Sequence, residues 1–306
     1  MTATVTELRD TFPCFGGECT VIVMDEPQRE REASSSLALA KRALLGWHTQ
    51  FSRFQELSEL SLLNADPRTT VPVSPMLRRV IDAALLAARE TGGLVDPTLV
   101  EELERAGYAT ELDQAPSLAA ALRAAPARAP AAPNTRARWK AIATDRRAGT
   151  VTRPPGTKLD SGGIAKGVFA DELAAALGRH SAFVVDCCGD LRLGGADGVI
   201  REVHVESPFD RSVIHTFELA AGAVATSGIG RRAWIGADGA PAHHLLNPAT
   251  GMPAFTGATQ VTALAPTATE AEIRSKAALL SGPDKAAGWL AHGGVVVFDD
   301  GSQLEV

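Results

Sequence analysis

The spacing of apolar and polar positions divides the chain into short strands and a few long helices. ECTVIVMDE, Glu18 to Glu26, is an apolar run bounded by acidic residues and predicts a strand. From about Ala33 to Phe54 the apolar positions Leu37, Leu39, Leu44, Leu45 and Phe51 follow helical spacing loosely, and the polar stretch FSRFQELSELSLLN then predicts a loop opening at Asn64. A second helix is predicted from Ser74, an N-cap followed by Pro75 at the first helical position, to Thr91, where Gly92 and Gly93 stop it. KAIATDRRAGTVTRP predicts a hairpin and VFADELAAALGRH a helix. FVVDCCGDLRL, REVHVESP and IHTFELA predict strands, as do VATSG, VTALAP and the closing GGVVVFDD. TEAEIRSKAALLSG, Thr269 to Gly282, reads as a helix ending on a glycine. Its Glu272 and Lys276 stand four residues apart, an ordinary helix-supporting pair. Strands mixed with a few long helices, without regular βαβ alternation, predict an α+β fold.

The Ala/Pro/Arg-rich segment from about residue 115 to 134 predicts an exposed, partly disordered connection. The strands on either side are too few to close a core alone, so the expectation is one domain over residues 1–306, a single compact unit of two intimate halves.

Composition removes several function classes. Hydrophobic residues make up 45% and charged ones 22% of the 306 residues, ordinary values for a folded chain. With a net charge of −6 and no Lys/Arg block, nucleic acid is not an expected partner. There is no 18-residue apolar run, and the first residues lack a basic segment leading into an apolar one. No membrane insertion is expected, and a cytoplasmic location is. Cys14, Cys19, Cys187 and Cys188 have no zinc-type spacing and read as small apolar residues, the last two within a buried strand.

Two stretches carry chemistry. LDSGGIAKGVFAD, Leu159 to Asp171, joins a strand to a helix through glycines, which let a ligand approach a helix start. It matches neither common nucleotide-binding glycine pattern, and a plain tight turn and a phosphate site fit it equally well. AHHLLNPATGMP sets two histidines beside a rigid Asn-Pro-x-Thr-Gly turn. A histidine held there suits a general base, although a buried core histidine is the alternative. VATSGIGRRAW adds two arginines, whose plainer reading is a solvated turn. The absence of a G-x-S-x-G elbow argues against a serine hydrolase.

Taken in order, PCFGGE, FSRF…SELSLLN, TGGLVDPT, LDSGGIAKGVFAD, DCCGD, VATSG, HHLLNPATGMP and VTALAPTATEAE resemble the signatures of the ApbE family, the FAD:protein FMN transferases. The resemblance runs from about Thr11 to the C-terminus. It implies an ApbE-like, T-fold-related arrangement of mixed sheets packed with helices. It also implies Mg²⁺-dependent transfer of FMN from FAD to a Thr or Ser hydroxyl of an acceptor flavoprotein, with release of AMP. By the same resemblance His244 is the base, and Phe15, Phe54, Leu94, Val95, Asp96, Asp160, Lys166 and Leu245 line the FAD site. The Gly163 carbonyl and Glu272 would be metal ligands. A homodimer is compatible with this reading.

Several positions depart from the family pattern. Lys276 stands where a metal-ligating Thr is usual. An ammonium has no lone pair for a cation, but it can meet a phosphate directly. That substitution keeps open a FAD diphosphatase, with water as acceptor, and a non-catalytic FAD-binding protein. Asn247 replaces an Asp near the base, Cys188 replaces a Gly and is expected to narrow the pocket, and Asp186 replaces an Asn. TGAT, Thr256 to Thr259, resembles a flavinylation acceptor motif but reads as the start of a strand. Tyr108 is the single tyrosine, so a flavin ring is expected to stack on Phe or apolar side chains.

Overall fold

The computed structural model describes residues 5–108, 117–236 and 239–306. Its centre is one eight-stranded sheet: β1 (Thr6–Cys14), β2 (Gly17–Asp25), β3 (Ala182–Cys187), β4 (Asp190–Gly194), β5 (Gly222–Gly228), β6 (Ala258–Ala265), β7 (Gly294–Phe298) and β8 (Gln303–Glu305). The spatial order of these strands is their chain order, and every neighbouring pair is antiparallel. The sheet is therefore a meander into which the helices are inserted, as an α+β chain without parallel crossovers should be.

The helices longer than a single turn are α1 (Glu30–Phe51), α2 (Glu59–Ala65), α3 (Pro75–Glu90), α4 (Val100–Arg105), α5 (Leu118–Ala124), α6 (Ala165–Leu177) and α7 (Ala268–Ser281). Alternation along β3 sorts the two faces of the sheet. Phe183, Val185 and Cys187 join the main core under α1, α3 and α6, while Val184 turns to the opposite face. There the hairpin Arg201–Glu206/Val213–Leu219 covers it with Val203 and Phe217. A second core lies between α5, the C-terminal part of α7 and strands β6 and β7, around Leu118, Leu279, Leu280, Val261 and Val296.

Local chemistry sets the helix ends. The Ser74 hydroxyl accepts the Leu77 N–H with Pro75 next in line, and α3 ends before Gly92 and Gly93, both at positive φ. Thr267 caps α7, which begins at Ala268, and Gly282 at φ 78° ends it. The long first helix starts earlier than its apolar spacing suggested and stops at Phe51, because Ser52 turns to extended backbone. The loop anticipated at Asn64 is instead helix: Ser58 caps α2, and Asn64 lies inside it. FVVDCCGDLRL is not one strand but the hairpin β3–β4. Cys188 at φ 59° and Gly189 at φ 94° form its turn. Strand β1 was not anticipated at all.

Of the connection expected near 115–134, residues 115 and 116 lie outside the described residues. The remainder contains α5, with Leu118 and Ala121 buried, and then an exposed run pinned by Ala129 N–H to Phe255 O and Ala131 N–H to Leu280 O. Among the described residues no helix is long and apolar enough to cross a membrane.

Candidate active site

The loops between these elements converge on one cavity of about 620 Å³. Phe15, Phe54, Leu94, Val95, Asp96 and Asp160 line it, as do Gly163, Lys166, His244, Leu245 and Lys276. Glu272 is not in the wall. It lies behind Lys276, 1% exposed.

The glycine-rich turn before α6 forms the floor and is fixed from three sides. Asn64 holds the Leu159 backbone twice, donating Nδ2–H to its carbonyl (2.8 Å) and accepting its N–H (2.7 Å). Ser161 donates to the Phe51 carbonyl at 3.1 Å, and the Asp160 N–H donates to Pro97 O at 2.9 Å. Asp160 in turn accepts the Gly162 N–H at 3.1 Å. Opposite, the Asp96 carboxylate accepts both the N–H and the hydroxyl of Thr98, at 2.8 and 2.6 Å; burial nevertheless holds its pKa above the usual range.

Part of the cavity wall is cationic. Lys166 pairs with Asp190, which is itself 2% exposed. Glu272 accepts the Gly167 N–H at 3.0 Å on one oxygen and the Lys276 ammonium at 3.2 Å on the other. The Glu272–Lys276 pair of α7 thus lies on the inner side of its helix, with Lys276 in the cavity wall. Burial alone would raise Glu272, but Lys276 and then Lys166 hold it below the carboxylate range. Burial would likewise lower Lys166, yet Asp190 and Glu272 keep it above the usual lysine range, so its charge is secure. Arg231 and Arg232 also line the cavity, and Arg232 donates to the Phe15 carbonyl at 3.1 Å.

Aromatic rings form another part of the wall. The Arg53 guanidinium lies over Phe54 (4.3 Å) and Tyr108 (4.6 Å), and Tyr108 stacks on Trp234 at 5.3 Å. Phe15, Trp47 and Phe51 all stack against Phe169. Tyr108 is part of this wall, beside the Phe and apolar side chains expected to face a ring. Sequence reasoning also passed over Arg53, although it sits inside the FSRF block. It read Arg231 and Arg232 as a solvated turn.

His243 and His244 lie next to each other with separate surroundings. His243 Nδ1 accepts the Leu245 N–H at 3.3 Å and its ring meets Phe255 edge-on, so it faces the core. His244 lines the cavity. Burial, then Arg232, His243 and Lys276, push its pKa well below 6.5, leaving a neutral imidazole at pH 7. Its Nδ1 is buried with no hydrogen-bond partner among the described residues.

The departures from the family pattern fall mostly outside the cavity. Cys188 does not narrow it: the thiol packs toward Gly17 and donates to the Cys14 carbonyl at 3.2 Å. Its Sγ is 3.9 Å from Cys19 Sγ, and all four cysteines are free. Asp186 accepts the Gly189 N–H at 2.6 Å and so closes the hairpin turn. The Asn247 side chain accepts the Ala132 and Ala249 N–H groups, holding the turn and the Ala/Pro segment rather than His244. Thr256 and Thr259 are buried and donate to Leu279 O and Val297 O, so they present no free hydroxyl.

The expected Mg²⁺ does not fit these residues. One Glu272 oxygen already bears the Lys276 ammonium, which cannot act as a ligand. Among the described residues no group of three His, Cys, Asp or Glu side chains could hold a metal ion.

Comparison with known proteins gives consistent matches. The model of the ApbE family matches residues 15–298. An FAD:protein FMN transferase of Treponema pallidum (strain Nichols) is 27% identical over 254 residues, covering 74% of this chain and 66% of that protein. One from Escherichia coli (strain K12) is 28% identical over 150 residues, 47% of this chain and 42% of its own length. The chain thus spans less than two thirds of either relative. The crystal structure of the ApbE protein from Thermotoga maritima superposes with a TM-score of 0.76 at 27% identity, covering 99% of this chain and 97% of that one.

Proposed function

The chain belongs to the ApbE family, and on that premise we propose that it is an FAD:protein FMN transferase. FAD is the substrate and a flavoprotein with an accessible Thr or Ser is the acceptor. The observation that carries the reading is one cavity whose wall combines aromatic rings, suited to a flavin, with lysines and arginines suited to a pyrophosphate.

In this reaction the acceptor hydroxyl oxygen attacks the phosphorus of the FMN moiety. The bond from that phosphorus to the bridging oxygen breaks, and AMP leaves with the oxygen. His244 takes the hydroxyl proton, a role its neutral imidazole supports. Lys166, Lys276 and the two arginines face the charge on the phosphates, and the fixed turn at Asp160–Gly163 orients them against the base. No step passes through a metal ion. The cytoplasmic location expected from the sequence belongs to this proposal.

Incubation with FAD and a peptide carrying an acceptor threonine tests it. The expected result is AMP in solution and a peptide heavier by an FMN phosphoryl group. AMP with an unmodified peptide would instead assign a FAD diphosphatase. Tight FAD binding without AMP would assign a flavin-binding relative, the reading that Lys276 in place of a metal-ligating Thr keeps open.

A further inference from the structure

We propose that the Lys276 ammonium is the site's built-in cation, so that binding and cleavage of the flavin pyrophosphate do not depend on a divalent metal ion. The inference rests on the FAD reading above and adds to it the source of the positive charge.

Three observations lead there. First, the carboxylate best placed to attract a cation is already neutralised within the chain. Glu272 is buried and ionised; one oxygen is held by the Gly167 N–H and the other by Lys276. Second, the buried carboxylate of Asp190 is taken by Lys166. A divalent ion entering between them would displace an ammonium and meet the remaining one as a like charge. Third, Lys276 is positioned to face a ligand and not only its partner. It follows Glu272 by one helical turn, so α7 itself fixes the pair. Its side chain is 12% exposed and lines the cavity, and its Cε runs 3.5 Å from where a Cβ on Gly163 would stand. The ammonium therefore sits between the acid and the glycine-rich turn. Glu272 and Asp190 are each matched by a lysine, and Arg231 and Arg232 add positive charge to the cavity wall that an anionic pyrophosphate would meet.

The test uses metal-stripped full-length protein, with FAD and riboflavin titrated by flavin fluorescence in EDTA and in Mg²⁺. Riboflavin has no phosphate and serves as the internal control. FAD affinity should agree within about twofold between the two conditions. Lys276→Met should weaken FAD about ten- to hundredfold and leave riboflavin unchanged. Lys276→Thr, which frees the Glu272 oxygen, should make FAD binding tighten on adding Mg²⁺. A measurement free of any variant is Mn²⁺ binding to the wild-type protein, followed by electron paramagnetic resonance with FAD present; no stoichiometric binding is expected. Tenfold or tighter FAD binding in Mg²⁺ than in EDTA, one bound Mn²⁺ per chain, or equal loss of FAD and riboflavin affinity in Lys276→Met would overturn the proposal. AMP release is read in parallel. Its absence in both conditions counts against the transferase reading alone, because the binding titrations still decide where the charge comes from.

Discussion

Lowering the pH from 7 to 5 should weaken the folded state through His243 by an amount that can be worked out. The ring is 1% exposed, lies edge-on to Phe255 at 4.7 Å, and has no partner for its buried Nε2 among the described residues. Burial lowers its pKa from 6.5 to about 3. A histidine lowered in this way binds fewer protons folded than unfolded. Its stability contribution is complete above pH 6.5 and is lost progressively as the pH falls toward 3. At pH 5 the unfolded chain has gained this proton and the folded one has not, a loss of about 2 kcal/mol. Against a total of roughly 5–15 kcal/mol for a folded domain, that is readily measured. His243→Gln keeps an acceptor for the Leu245 N–H and removes the titration. Urea unfolding of both proteins at pH 7, 6 and 5 should show the wild type losing about 2 kcal/mol more than the variant. Glu272 and Asp25, held below their ordinary values, lose stability in a lower pH window and do so in both proteins. Parallel stability curves would refute the reasoning, since they would mean that His243 is already protonated or already solvated in the folded state.

Three further outcomes are expected. His244→Ala should lower FMN transfer about 10²- to 10⁴-fold with FAD affinity retained, and the acid limb of the wild-type pH–rate profile should lie below 6.5, because the folded pKa is depressed. Stopped assays across pH 4–8 read both. Gly167→Ala should lower the melting temperature, since its Cβ would stand 2.7 Å from the Ala268 carbonyl oxygen and force α6 from α7; overpacking of this kind costs about 1–3 kcal/mol. Asn64→Ala should cost about 1–3 kcal/mol in urea unfolding through the Leu159 N–H and carbonyl it leaves unpaired, and should weaken FAD binding because the turn at Asp160–Gly163 begins there.

What was readable in the sequence followed from local chemistry. The helix at Thr269–Gly282 and the Ser74–Pro75 start are set by caps and glycines within a few residues, so their outlines were legible. Strand β1 was not, because it is an edge strand: only Phe12 and Cys14 are buried, and no apolar alternation marks the rest. The β3–β4 hairpin was hidden because Cys188, a residue that rarely takes positive φ, occupies half of its turn. The site shows the same division. Its residues sit in recognisable blocks, but the pairing of Lys166 with Asp190, and the approach of Arg232 to Phe15 across 217 positions, are products of the meander. Local spacing cannot report that Tyr108, Arg53 and Trp234 form one stack.

The seam between α6 and α7 has a consequence for motion. Gly167 lets the two helices touch backbone to backbone, and Asp171 on α6 accepts the Ala268 and Thr269 N–H groups and the Thr269 hydroxyl at the start of α7. Lys166 and Glu272 are anchored within a turn of that contact, and Lys276 one turn further along. Parting the helices would strip a buried carboxylate of its partners, so this opening should require nearly the whole free energy of unfolding. In deuterium exchange the amides of Gly167 and of the first α7 turn should therefore be among the slowest in the molecule, close to the global limit. The cationic wall of the cavity would then be a fixed template already present in the empty protein, and the time a ligand takes to leave would be set by its own contacts rather than by a breathing floor.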